Sequence, residues 1–123
     1  MIAPARFAIL LLAAAMCIAS APAAAHAFLD HALPAVGSTV HESPRTVRLW
    51  FTEPLEPAFS RVHVVDASGR TVDAGDAQVD ASDAMVLSVS VPALPSGTYR
   101  VQWRVVSVDT HVTEGDYTFE IRP

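Results

Sequence analysis

Apolar and polar residues alternate along most of this chain. Val47, Leu49 and Phe51 are separated by Arg48 and Trp50, Val62 and Val64 flank His63, and Leu87, Val89 and Val91 enclose Ser88 and Ser90. The pattern returns at Tyr99, Val101, Trp103 and Val105, around Arg100, Gln102 and Arg104. It returns again at Tyr117, Phe119 and Ile121, around Thr118 and Glu120. Successive side chains of a strand leave opposite faces, so period two among β-branched and aromatic residues marks strands buried on one side. Turn-forming clusters separate them: Pro34 to Ser38, Glu42-Ser43-Pro44, Asp66 to Gly69, Asp73 to Asp76, Ala81-Ser82-Asp83 and Pro95-Ser96-Gly97. No segment carries a 3.6-residue apolar stripe. About seven short strands in about 100 residues predict an all-β, two-sheet sandwich with Greek-key connections. No internal repeat or linker interrupts it.

The first twenty-five residues follow a different rule. Arg6 precedes an apolar run from Phe7 to Ile18, and a small-residue tail leads to Ala23-Ala24-Ala25. A basic start, an apolar middle and an A-x-A site read as a cleavable secretory signal. The run is shorter than the roughly 18–20 residues that span a bilayer, so stable membrane insertion after cleavage is not expected. Cys17 follows Met16, which is not the small residue a lipidation site needs. The expected organisation is a signal peptide over 1–25 and one domain over 26–123, with cleavage after Ala25 and delivery beyond the cytoplasmic membrane.

Charge and cysteine use narrow the function. From residue 26 onward there are seven Arg and no Lys against thirteen acidic residues. Such a surface argues against nucleic acid and anionic lipid and suits a protein that meets cations. The single Cys lies in the signal, so the domain has neither a disulfide nor a thiolate site. Imidazole, carboxylate and amine remain as metal ligands.

Five histidines fall in the domain: His26, His31, His41, His63 and His111. His63 sits on the polar face of a predicted strand and His41 in a turn, and both read as surface residues. His31 falls in or at the end of the first strand, expected between Phe28 and Leu33. His111 ends Val108-Asp109-Thr110-His111, after the long strand that starts at Tyr99. If the extended path continues, Asp109 and His111 point to the same side. D-x-H alone is a weak signal. Cleavage before His26 adds a free amine beside its own imidazole, and amine and Nδ1 can close a six-membered chelate ring. The amine titrates near neutrality, so a metal displaces its proton readily. Two nitrogens from His26, one from His111 and an oxygen from Asp109 form a tetragonal set suited to Cu(II).

The sequence resembles the CopC family of periplasmic copper-resistance proteins. The resemblance rests on the post-signal His26-Ala27, on Leu33 to Val40, on Val47 to Leu55, and on Pro95 to His111 with Gly115 to Phe119. Its most specific block is Y-x-V-x-W-x-x-x-S-x-D-T-H. The resemblance implies an Ig/cupredoxin-like β-sandwich and a Cu(II) site at His26, Asp109 and His111. It also places Glu53 near the metal, where its carboxylate could accept a hydrogen bond from a ligand. Some members carry a second, Cu(I) site in a Met-rich loop. This domain has one Met, Met85, inside a predicted strand, so the chain reads as a Cu(II)-only member. His31 stands where relatives usually have a small polar residue and reads as a spectator. The expected role is copper resistance or homeostasis, as a carrier or scavenger that hands copper to a membrane transporter. Two other readings stay open. Copper-dependent polysaccharide monooxygenases also use a terminal histidine chelate, but need an open coordination position and a substrate platform. A metal-free Ig-like adhesion domain would make the histidines coincidental.

Overall fold

The computed structural model describes residues 26–123, so the proposed signal lies outside the described residues. Eight strands follow one another: β1 (Leu29–Leu33), β2 (Thr39–Val40), β3 (Thr46–Phe51), β4 (Arg61–Val65), β5 (Gln78–Val79), β6 (Val86–Ser90), β7 (Gly97–Val106) and β8 (Val112–Ile121). They form two four-stranded sheets, ordered β1-β3-β6-β5 and β2-β8-β7-β4. This is the strand order of an immunoglobulin-type sandwich, in which the chain crosses between sheets at each step from β1 to β5 and again from β6 to β7. All pairings are antiparallel except that of β2 with β8.

The alternating residues face inward as expected. Val47, Leu49, Phe51, Leu87 and Val89 from one sheet meet Val62, Val64, Val101, Val105, Tyr117 and Phe119 from the other. Tyr99 fixes the start of β7 by donating its hydroxyl to the carbonyl of Pro95 at 2.6 Å. A tyrosine reaching back to the backbone at a strand start is a recurrent lock of such sandwiches. Burial pushes the Tyr117 phenol far above its ordinary range, and the hydroxyl donates to the Pro34 carbonyl at 2.8 Å.

Two expectations need correction. Strand β8 begins at Val112, five residues before the alternation at Tyr117, because its first half pairs fully with β7 although Thr113, Glu114, Gly115 and Asp116 carry no apolar signal. Met85 is not buried in a strand. It is the residue before β6, is 40% exposed, and contributes its backbone carbonyl to Phe51 N.

Gly115 lies opposite Trp103, and the indole lies across it. A Cβ at position 115 would sit 2.9 Å from Cε2 and Cη2 of Trp103, and closer still to Cζ2. The indole is held on its other sides by Phe51 and Tyr117, each at 6.2 Å between centroids. Gly115→Ala is therefore expected to overpack this corner and cost about 1–3 kcal/mol. Urea unfolding would show a lower midpoint at an unchanged m-value; an unchanged midpoint would contradict the packing described.

Candidate metal centre

Residues 26–28 are fastened to the end of β3. Thr52 does this with three bonds: its N–H donates to the Phe28 carbonyl at 2.9 Å, its hydroxyl accepts from Phe28 N at 3.0 Å and donates to the His26 carbonyl at 3.2 Å. Ala27, between them, is fully buried. Residues 26–28 are thus held by the Thr52 backbone and hydroxyl and by one buried methyl.

The other half of the site is the loop between β7 and β8. Its path is not the extended one expected. Thr110 N–H donates to the Ser107 carbonyl at 2.8 Å, closing a turn, and Thr110 adopts φ 75°. Left-handed backbone is unusual for a β-branched residue and costs about 1–3 kcal/mol, so the surrounding bonds must enforce it. Ser107, almost wholly buried, is the centre of those bonds. Its N–H donates to the His111 carbonyl at 2.9 Å, and its hydroxyl accepts from His111 N at 3.3 Å and donates to Oδ1 of Asp109. The turn still leaves Asp109 and His111 on one side, with Asp109 Oδ1 3.2 Å from His111 Nδ1.

That last contact lacks the alignment a hydrogen bond requires. His111 Nδ1 is shut off from solvent and has no hydrogen-bond partner among the described residues. The Ser107 hydroxyl, followed by the neighbouring imidazole, holds the Asp109 carboxyl below the usual carboxylate range, so it is an anion at neutral pH. Its Oδ2 makes no hydrogen bond among the described residues and remains available to a cation.

The two halves meet. The rings of His26 and His111 lie 4.6 Å apart at 51°, with Phe28 5.8 Å from His26. Glu53 follows Thr52 in the bend after β3 and is half-buried. Among the described residues, no three His, Cys, Asp or Glu side chains form a ready-made metal cluster. The side chains of His26, Asp109 and His111 are gathered in one place without being closed around a point.

The other histidines lie apart from this place. His31 projects from the outer face of β1, stacks on Trp50 at 4.4 Å and pairs with Asp30 at 2.7 Å. His41 contacts the Arg122 carbonyl through Nδ1 at 2.8 Å. His63 is exposed on β4 and sits 3.4 Å from the buried carboxylate of Asp73. Sequence reasoning missed Thr52 and Ser107 as organisers. Small hydroxyl residues carry no periodic signal, and only the spacing of Ser107 two residues before Asp109 hints at its bond.

A family model described as the CopC domain matches residues 29–122. The chain belongs to the CopC family. Copper resistance protein C of Escherichia coli is 36% identical over 108 residues, covering 81% of this chain and 84% of the relative. The crystal structure of CopC from Methylosinus trichosporium OB3b superposes with a TM-score of 0.71 at 36% identity, covering 80% of this chain and 95% of that one. The crystal structure of PcoC, a methionine-rich copper resistance protein from Escherichia coli, gives a TM-score of 0.71 at 35% identity, covering 80% and 100%. Against that methionine-rich relative, the CopC domain here has its single Met85 on the surface.

Proposed function

We propose that this protein is an exported Cu(II) carrier. Cleavage after Ala25 frees the His26 amine, and the mature protein binds Cu(II) through that amine, the His26 imidazole, His111 and Asp109. The observation that carries the reading is the approach of the His26 and His111 rings to 4.6 Å, from opposite ends of the sequence. The amine completes the set, and its donors match Cu(II) by hardness and by tetragonal geometry. The orphaned Nδ1 and the carboxylate kept ionised beside it fit an imidazole that serves a cation. In this reading Glu53, one residue beyond the Thr52 clamp, accepts a hydrogen bond from a ligand; partners of this kind tune affinity about 10–100-fold.

The acidic surface draws cations toward the site. The side chains of His111 and Asp109 are about 40% exposed, so bound copper remains open to ligand exchange. This supports a periplasmic carrier in copper resistance that passes Cu(II) to a membrane copper transporter. It also supports binding rather than catalysis, since Asp109 occupies the position an oxygen-activating site would leave open. One exposed thioether cannot build a Cu(I) site. Titration of the protein beginning at His26 with Cu(II), followed by EPR, should show one tetragonal centre per chain with nitrogen couplings. Several weak signals without nitrogen couplings would refute the ligand set.

A further inference from the structure

The outer face of the sheet β2-β8-β7-β4 changes character near the β7–β8 loop. Val62, Val64, Val101 and Val105 are buried, so the residues between them on β4 and β7 face outward. Across the strands, Val106 pairs with Val112, Arg104 with Arg61 and Glu114, and Gln102 with His63 and Asp116. Val112 is 48% exposed, and Phe59, two residues before Arg61, is 60% exposed. The turn that carries Phe59 is tied to Val106. Glu56 N–H donates to the Val106 carbonyl at 2.8 Å, and the Ser60 hydroxyl accepts from Val106 N at 3.2 Å. An apolar row is thus followed by a row with two arginines. That second row and the next one line a cavity of about 520 Å³.

Arg61 and Arg104 stand directly opposite each other, where like charges destabilise a sheet. Arg61 makes no salt bridge among the described residues. Arg104 donates only its Nε to Glu114, at 3.1 Å, and its two terminal nitrogens have no hydrogen-bond partner among the described residues. Asp116, the other carboxylate lining the cavity, is bonded to Arg100 at 3.0 Å. Positive charge is therefore in excess here, in a domain with seven Arg against thirteen acidic residues. A planar guanidinium takes a carboxylate in two parallel bonds. An anion between the two arginines offsets their repulsion.

We propose that this groove docks an extended acidic segment of a partner protein, with a carboxylate between Arg61 and Arg104 and an apolar side chain beside Phe59 and Val112. Charge complementarity selects the occupant: a basic segment would meet like charge, and a bare inorganic anion would leave the apolar row uncovered. The spacing agrees. Residues two apart in an extended chain share a face and lie about 7 Å apart, the same step that separates successive rows along β4 and β7. About five residues of the partner therefore reach from Phe59 to His63. Val106 and Val112 also border the loop that carries Asp109 and His111, so the docked segment lies beside that loop. The inference does not depend on the copper reading, since no proposed copper ligand takes part.

The probe is a blocked pentapeptide with leucine first, glutamate third and fifth, and serine between. Added to the metal-free protein beginning at His26, it is expected to shift the backbone amide NMR signals of Arg61, His63, Gln102 and Arg104. The same peptide with lysine in place of glutamate is expected to shift none of them. Arg61→Glu is expected to weaken the glutamate peptide about tenfold, through loss of charge-assisted bonds to one guanidinium. It is also expected to keep or raise Tm, because it sets opposite charges across the β4–β7 pair. No shifts with the glutamate peptide, equal shifts with the lysine peptide, or wild-type affinity in Arg61→Glu would overturn the proposal. A lowered Tm in Arg61→Glu would mean that Arg61 serves the fold, and would overturn it too. Shifts at these residues that grow with protein concentration alone would assign the groove to a second copy of the chain and so exclude the acidic partner.

Discussion

One extra residue ahead of His26 is expected to weaken Cu(II) binding by about 10²–10⁴-fold, the range by which a second, linked attachment raises avidity. The extension converts the α-amine to an amide. An amine near neutrality gives up its proton to a metal readily, whereas an amide nitrogen has no free lone pair to offer. The six-membered ring between amine and Nδ1 is lost, and the imidazole becomes a single-point ligand on a mobile side chain. The fold is expected to be unaffected, because the anchoring of the terminus does not use the amine. Thr52 bonds the Phe28 backbone and the His26 carbonyl, and Ala27 is buried between them. Equal Tm values for the two metal-free proteins would confirm this. Competition against a chelator of known strength measures the affinity gap, and EPR of the extended protein should lose a nitrogen coupling. Equal affinities would remove the amine from the ligand set and with it the link between export and copper binding.

The sandwich was legible because its strands alternate. β3, β4, β6 and most of β7 are read directly from apolar residues spaced by two. The first half of β8 was not, because pairing with β7 and the seat it gives the Trp103 indole depend on a partner strand and not on local pattern. Met85 shows the converse error: a methionine beside a valine run looks internal, yet it ends a turn that starts at Asp83 and lies just outside the strand. At the candidate site, the residue identities were legible and their arrangement was not. Asp109 and His111 share a side because of the Ser107-centred turn with Thr110 in the left-handed region, not because the chain stays extended. The contact between His26 and His111 joins residues far apart in sequence, and only the clamp at Thr52 and the hairpin β7–β8 bring them together.

His111→Ala is expected to reduce Cu(II) affinity by more than about 100-fold, beyond the range for loss of an outer hydrogen-bond partner. The substitution removes one nitrogen donor and leaves the loop intact. The bonds that shape the loop run between Ser107 and the His111 backbone, which alanine retains. The hydroxyl of Ser107 still donates to Asp109, so the carboxylate stays low in pKa through its first and largest cause, and only the smaller contribution of the imidazole is lost. Affinity therefore reads the missing ligand and not a displaced Asp109. His31→Ala is the matched control. His31 is stacked on Trp50 on the outer face of the other sheet, so its removal should change Trp50 fluorescence and leave Cu(II) affinity unchanged. The two results must come together. Wild-type affinity in His111→Ala, or an equal loss in His31→Ala, would mean that copper is held by the acidic surface at large and not by the centre built from His26, Asp109 and His111.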